Sequence, residues 1–495
     1  MKRRSLAAAT VAVIVAAGAW ASLAAQTAVD WPRASPPGPL AARSVDFPPY
    51  EIRTLPNGLR VLVVLWHEQP SVSFRLLVRA GAAEEPADRP GVASFVSSLL
   101  EQGTTTKSAV DIANTIDAAG GMLGVGSGNE LTSIYGAVVK DRTALALGLV
   151  ADLVEHPAFA DDEIQRQRNQ ALSALQVAYD DPDYIAGLVF DRLVFGLHPY
   201  GRPNEGTRTS IGRITRADLL AFHQTWFAPN NALLAIVGDL SADEAFAAAA
   251  RAFGDWERRD VPAVAAPAPP PPAPHVVVID RPGSAQTEIR VGHLGISRTD
   301  PDYVPFDLAI RILGGEGANR LFGVLRSDRG LTYGASAELR AYKTSGEVMA
   351  ETETRTAATG ESLRLMVNEF DRLQRETVGS TELEGAQDFV AGNFPLSMES
   401  PSSIAEQVLS RLFYGQSPDG IERYVDDVQD VTADDVAWSF SRGLDPANQA
   451  LMGQFIPFID KITAKDNSTA AFSLKFPFSL FPQRIAVIKI VPKAK

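Results

Sequence analysis

The chain has 495 residues, more than one hydrophobic core accommodates, so two or more domains are expected. Its 45% hydrophobic and 21% charged composition is that of a soluble globular protein, and a net charge of −13 excludes a nucleic-acid partner, which needs a basic surface. The absence of cysteine excludes disulfides, thiol catalysis, thiolate zinc sites and iron–sulfur clusters.

Residues 1–26 read as a secretory signal peptide: a basic MKRRS, an apolar LAAATVAVIVAAGAW, and small residues including Ser22 and Ala24 for a peptidase. A single-pass anchor is the rival reading, but the apolar run is short and rich in Ala and Gly. Cleavage removes Lys2, Arg3 and Arg4 and takes the net charge from −13 to −16. No cysteine stands near the cleavage site, so no lipoprotein is expected. High Ala, Arg and Pro usage and the signal style point to a Gram-negative periplasm, with no transmembrane segment in the mature chain.

The first half, 45–260, opens with YEIRTLPNGLRVLVVL, where Asn57-Gly58 separates two strand-like runs as in a hairpin. SVSFRLLVRAG is a further strand. Helices are predicted around 90–101 and 108–118, a strand at LTSIYGAVV, a long helical tract over 141–195, and a short buried strand near 231–240. Residues 261–274, VPAVAAPAPPPPAP, exclude helix and central strand and read as an extended polyproline spacer.

The second half, 275–460, repeats the rhythm. HVVVID and TEIRVGHLG are predicted strands, 302–313 a helix ending at Gly314-Gly315, GLTYGASAELRAY and SGEVMAETETR strands, and 357–376, 380–393 and 401–414 helices. ALMGQFIPF answers the earlier LLAIVGDL. The fold class is therefore α+β: two homologous domains, each a mixed or antiparallel sheet covered by helices, joined by a Pro-rich linker. The apolar tail 461–495 contains the strand candidate RIAVIKIV, read either as a strand added to the nearest sheet or as a contact with a partner or membrane surface.

Within 91–104, GVASFVSSLLEQGT, the apolar residues recur at helical spacing, and Ser94 and Ser98 share one face. The segment GAAEEPADRPGVASFVSSLLEQGT resembles the zinc-site segment of the pitrilysin/insulinase metallopeptidases, the inverzincins, whose helix carries H-x-x-E-H. That chemistry needs two histidines four apart to bind zinc, a glutamate to deprotonate the metal-bound water, and a distal glutamate ligand. The resemblance places the first histidine at Ser94, the base at Ser97 and the second histidine at Ser98. It places the distal glutamate at Ala174, in EIQRQRNQALSALQ. All four positions lack ligand chemistry. The six histidines, His67, His156, His198, His223, His275 and His293, include no pair within five residues of each other.

The resemblance covers most of the mature chain, through LPNGLRVLVV, HPYGRPNEGTRTSIGRIT, FHQTWFAPNNALLAIVGDLS and LGGEGANRLFGVLRSDRGLTYGASA. In LRSDRGLTY it implies that Arg326 and Tyr333 bind substrate, as fixed donors to a peptide carbonyl or oxyanion. The bland reading is that Arg326 pairs on a helix and Tyr333 packs in a sheet. Arg329, four residues from Tyr333, does not fit the spacing. GGEGANRLF lacks the phosphate-loop pattern and reads as a turn or hinge. The acidic pairs Glu84-Glu85, Asp161-Asp162, Asp180-Asp181 and Asp426-Asp427 read as solvated turns and helix starts, and Trp226, Pro229 and Asn230 as core and turn residues.

The resemblance is to the family's non-catalytic, zinc-motif-less subunits, of the mitochondrial-processing-peptidase kind. It implies a protein without independent activity. That protein would bind peptide or unfolded protein and complete the site of a zinc-bearing homologous partner, with no zinc of its own. The alternative it implies is a scaffold of the same fold with no peptidase role, as in respiratory complexes.

Overall fold

The computed structural model describes residues 47–441 apart from 272 and 316–318, and two further strands at 459–464 and 470–474. The predicted signal segment 1–26, the predicted strand at 450–458 and RIAVIKIV lie outside the described residues.

The first sheet has six strands: β1 (Tyr50–Thr54), β2 (Arg60–Leu65), β3 (Ser71–Val78), β4 (Met122–Ser127), β5 (Thr132–Val139) and β6 (Ala232–Gly238). Their spatial order is β1-β2-β6-β3-β5-β4. The Asn57-Gly58 turn forms as expected, with Gly58 at φ 96°, a region open to glycine at little cost. The Asn57 amide pins the turn to the carbonyls of Phe253 and Trp256, at 2.6 and 3.1 Å. β2 and β6 run parallel, and both read as unbroken apolar runs because both faces of the sheet are covered there. On one face Val61, Val63, Phe74, Leu76, Leu234 and Ile236 join the core of the first half. On the other, Leu62, Val64, Leu77, Leu233 and Val237 meet residues of the second half. β4, MLGVGS, has no counterpart among the predicted strands; its glycines and outward Met122 hide the alternation.

The first-half helices are α1 (Val92–Leu100), α2 (Ala109–Ala118), α3 (Thr143–Glu155), α4 (Asp161–Ala178), α5 (Pro182–Phe195), α6 (Arg208–Arg213), α7 (Arg216–Trp226) and α8 (Ala242–Phe253). In the second half β7 (Gln286–Gly295), β8 (Thr332–Ala341) and β9 (Gly346–Arg355) form an antiparallel sheet in the order β7-β9-β8. Its helices are α9 (Tyr303–Ile310), α10 (Thr359–Arg375), α11 (Ser380–Asn393), α12 (Pro401–Phe413), α13 (Tyr424–Gln429) and α14 (Ala433–Ser441). The predicted helix at 302–313 ends earlier, at Ile310, and passes into a π-helical stretch over 311–315. HVVVID is not a strand: residues 275–280 carry no regular structure, and Val276 and Val278 are 70% and 84% exposed. Its apolar character promised burial, but among the described residues no strand lies beside it. β10 (Ile459–Ala464) and β11 (Ala470–Leu474) pair with each other.

The order β7-β9-β8 repeats β3-β5-β4: one strand, then a hairpin whose second arm pairs with it. Three helices follow each hairpin, and the third begins the same way. Asp181-Pro182 and Ser400-Pro401 each place a capping side chain before a proline in the first turn. These two third helices are exchanged. α12 of the second half packs on β3 and β6 of the first sheet, burying Ile404, Val408 and Leu412. α5 of the first half packs on β7 and pairs Asp183 with Arg290 and Asp191 with Arg340. The two halves are thereby held by reciprocal burial.

Candidate functional site

α1 carries Ser94, Ser97 and Ser98. The Ser97 hydroxyl is buried, donating to Ser94 O (2.9 Å) and lying 3.2 Å from the Ser127 hydroxyl on β4. Ser98 donates to Phe95 O at 3.0 Å. Ser94 and Ser98 are half-buried on one face, as their spacing predicts. Hydroxyls turned back onto helix carbonyls satisfy themselves and offer no ligand set. Ala174 lies on α4, which packs against α1, and its methyl is exposed. Among the described residues no group of three or more His, Cys, Asp or Glu side chains is placed to hold a metal ion. Three hydroxyls and a methyl do not fit a zinc ion, whose protein ligands are imidazole, thiolate and carboxylate.

The start of α1 depends on a residue whose role the sequence did not disclose. Glu85 is buried, and its carboxylate accepts from Gly91 N (2.9 Å) and Ala93 N (2.7 Å), capping the helix. The pair Glu84-Glu85 is therefore not a solvated turn. A one-residue shift of an acidic pair into the interior is invisible without the fold. Burial pushes Glu85 up to about 8, against the pull of those two N–H groups, and Glu84 up to about 7. Burial likewise raises Glu288 to about 7.

These three carboxyls bind protons in the folded chain at pH values where the unfolded chain has lost them. Their contribution is full below the ordinary carboxylate range and disappears as pH rises through 7 and 8. Below about pH 6.5 the buried His198, His223 and His293, all lowered by burial, act in the opposite sense. Unfolding free energy is expected to fall by about 1–3 kcal/mol between about pH 6.5 and 8.5. Urea titrations across that window check it. Glu85→Gln should flatten the slope, and a level or rising wild-type profile contradicts the assignment.

Arg326 and Tyr333, predicted as a pair, are together. The Arg326 guanidinium stands 4.8 Å from the centroid of the Tyr333 ring and 4.7 Å from that of Phe322. Arg326 lies in a π-helical stretch over 323–328, and Gly330 just beyond it turns the chain at φ 60°. Tyr333 sits at a register break in the β8–β9 hairpin: Thr332 faces Thr354, and the next pair is Ala335 with Thr352. Such a bulge re-aims the side chain it carries, and Tyr333 is 88% exposed. Threonine hydroxyls fix the bulge. Thr352 Oγ1 donates to Gly334 O at 2.8 Å, Thr332 Oγ1 lies 2.6 Å from Glu353 O, and Thr354 Oγ1 donates to Leu331 O at 2.7 Å. The alternation ETET over 351–354 in β9 was the available sequence signal. Arg329 is directed elsewhere, 3.8 Å from Glu361.

A second cluster joins the two halves. Glu130, in the β4–β5 turn, accepts from Tyr200 Oη (2.5 Å), from Lys343 N (2.9 Å) and from Tyr414 Oη (3.2 Å). Thr344 donates to Tyr200 Oη at 3.1 Å, and the Tyr342 ring lies 4.5 Å from that of Tyr200. Burial, with Glu130 beside them, raises both phenols well above the usual tyrosine range. Glu130 gives no sequence signal, because its partners are 70 to 284 residues away.

The Insulinase (Peptidase family M16) model matches residues 60–207, and the Peptidase M16 inactive domain model matches residues 213–390. The chain is similar to an uncharacterized zinc protease of Mycobacterium tuberculosis strain H37Rv, 29% identical over 409 residues, 82% of this chain and 92% of the relative. An uncharacterized zinc protease of Bacillus subtilis is 24% identical over 71% of this chain and 85% of its own. Among solved structures, a peptidase M16 inactive domain from Pseudomonas fluorescens superposes with a TM-score of 0.76 at 29% identity, covering 79% of this chain and 95% of that one. A protease from Helicobacter pylori shares the fold at a TM-score of 0.75 and 18% identity. The two matched models, in order along one chain whose sheets repeat each other, show that the protein belongs to the M16 peptidase family.

Proposed function

We propose that the protein is a non-catalytic, substrate-binding subunit of a zinc metalloprotease, acting in the periplasm beside a zinc-bearing homologous partner. The observation that carries this reading is the Arg326–Tyr333 pair, raised on a bulge and exposed, in a chain whose zinc positions hold Ser94, Ser97, Ser98 and Ala174. An aromatic that is 88% exposed contributes little to packing. Arg326 over its ring restrains both side chains, leaving the phenol hydroxyl and guanidinium N–H groups as oriented donors for a peptide carbonyl. The partner's metal site supplies the attacking water; this chain binds and positions peptide or unfolded protein.

The test is capture of the tagged mature chain from its native source, with zinc and peptide cleavage assayed on the eluate. Co-elution of a zinc-bearing M16 homologue with cleavage activity is the expected result. A chain that elutes alone, metal-free and inert, favours the scaffold reading.

A further inference from the structure

Among the described residues, two arginines at the first sheet make no ion pair. Arg60 opens β2 opposite Leu233 of β6. Arg79 follows β3 and donates its backbone N–H to Asn231 O at 3.0 Å, which extends the pairing of Val78 with Ala232. Positions 231 and 233 point to the same side of β6, so Arg60 and Arg79 flank that strand on one face. It is the face that carries Leu62, Leu77 and Leu233 under α12.

A third arginine on that face sets the contrast. Arg75 reaches Glu406 of α12 at 3.3 Å and lies 5.1 Å from the Tyr135 ring centroid. Among the described residues, the guanidinium groups of Arg79 and Arg60 take part in no ion pair and no hydrogen bond, and the Arg79 Nε is buried without a partner. Burial and the neighbouring Arg60 charge hold the Arg79 guanidinium below its ordinary pKa. A guanidinium does not shed its proton near neutral pH, so burial without an anion leaves a standing penalty. Both side chains are half-buried, which leaves solvent access.

We propose that Arg60 and Arg79 form an oxyanion-binding site on the first sheet, taking a carboxylate or phosphate group between two guanidinium forks. Planar forks match either anion with paired N–H donors. The acidic balance of the chain makes two adjacent unpaired arginines a local exception.

Thermal unfolding of the full chain, in inorganic phosphate or in acetate against chloride at equal ionic strength, tests this. One of the two anions at millimolar concentration is expected to raise the midpoint by about 2–4 °C. Phosphate acting alone assigns a phosphate ligand; acetate acting assigns a carboxylate such as a peptide's. Arg79→Met should abolish the response and unfold at a higher temperature than the parent in chloride, having lost an unpaired charge. Arg79→Lys, which keeps the charge and loses the fork, should fold and respond more weakly. Equal anion responses in the parent and Arg79→Met overturn the proposal. So does no response in the parent, or an Arg79→Met variant less stable in chloride, which would show that the arginine already has a partner.

Discussion

Replacing Arg326 by alanine is expected to lower turnover of the assembled protease about 100-fold while leaving assembly intact. The figure follows from the role. A donor aimed at the charge that develops during attack on a peptide carbonyl contributes about 3 kcal/mol to the barrier. Arg326 is exposed and belongs to no hydrophobic cluster, so its loss removes little folding energy. Tyr333→Phe keeps the ring under the guanidinium and deletes only the hydroxyl. Its effect should be smaller, about 10-fold, and should fall on kcat if the hydroxyl meets the transition state, or on KM if it meets only bound peptide. Steady-state kinetics on the purified complex, with gel filtration as the assembly control, decide the matter. Unchanged turnover in both variants makes the pair a relic and supports the scaffold reading.

Glu130→Ala is expected to destabilise the chain by about 3–5 kcal/mol. Glu130 is 9% exposed and serves two phenols and one backbone N–H, two of the three from the second half. Removing the carboxylate leaves Tyr200, Tyr414 and Lys343 N with unmet donors in a partly buried site. Glu130→Gln keeps the shape and one acceptor and should cost less. Urea unfolding measures both, and proteolysis of the linker region 261–281 reports whether the halves loosen. A cost under about 1 kcal/mol for the alanine variant would mean that the exchanged helices hold the halves unaided.

How legible was this in the sequence? The helices of α1, α2, α10, α11 and α12 and the strands β2, β3, β5, β6, β8 and β9 were readable because period and burial agree in them. β4 was not, since MLGVGS spends its alternate positions on glycine. HVVVID misled in the other direction. Four β-branched residues satisfy every local criterion for a strand, yet a strand also needs a neighbour, and local composition carries no record of one. At the site, the shared helix face of Ser94 and Ser98 was legible because residues four apart stand one above the other. Pairing of Arg326 with Tyr333 was legible only through the family resemblance of the segment that carries them. The bulge that lifts Tyr333 out of the sheet depends on Thr332, Thr352 and Thr354 meeting across two strands.

By itself the sequence determined the chemical inventory: no thiols, no histidine pair, an acidic balance, and a proline run that separates two halves of the same rhythm. These are properties of composition and of contacts a few residues apart. Tertiary structure decided which helix covers which sheet. The swap of α5 and α12 between halves depends on surfaces that exist only once both sheets are built. It also decided the state of the charges. Glu84-Glu85 looks the same in sequence as Asp161-Asp162, yet burial raises the glutamates while the aspartates open α4. Desolvation is set by all the atoms around a group, and those atoms come from distant parts of the chain.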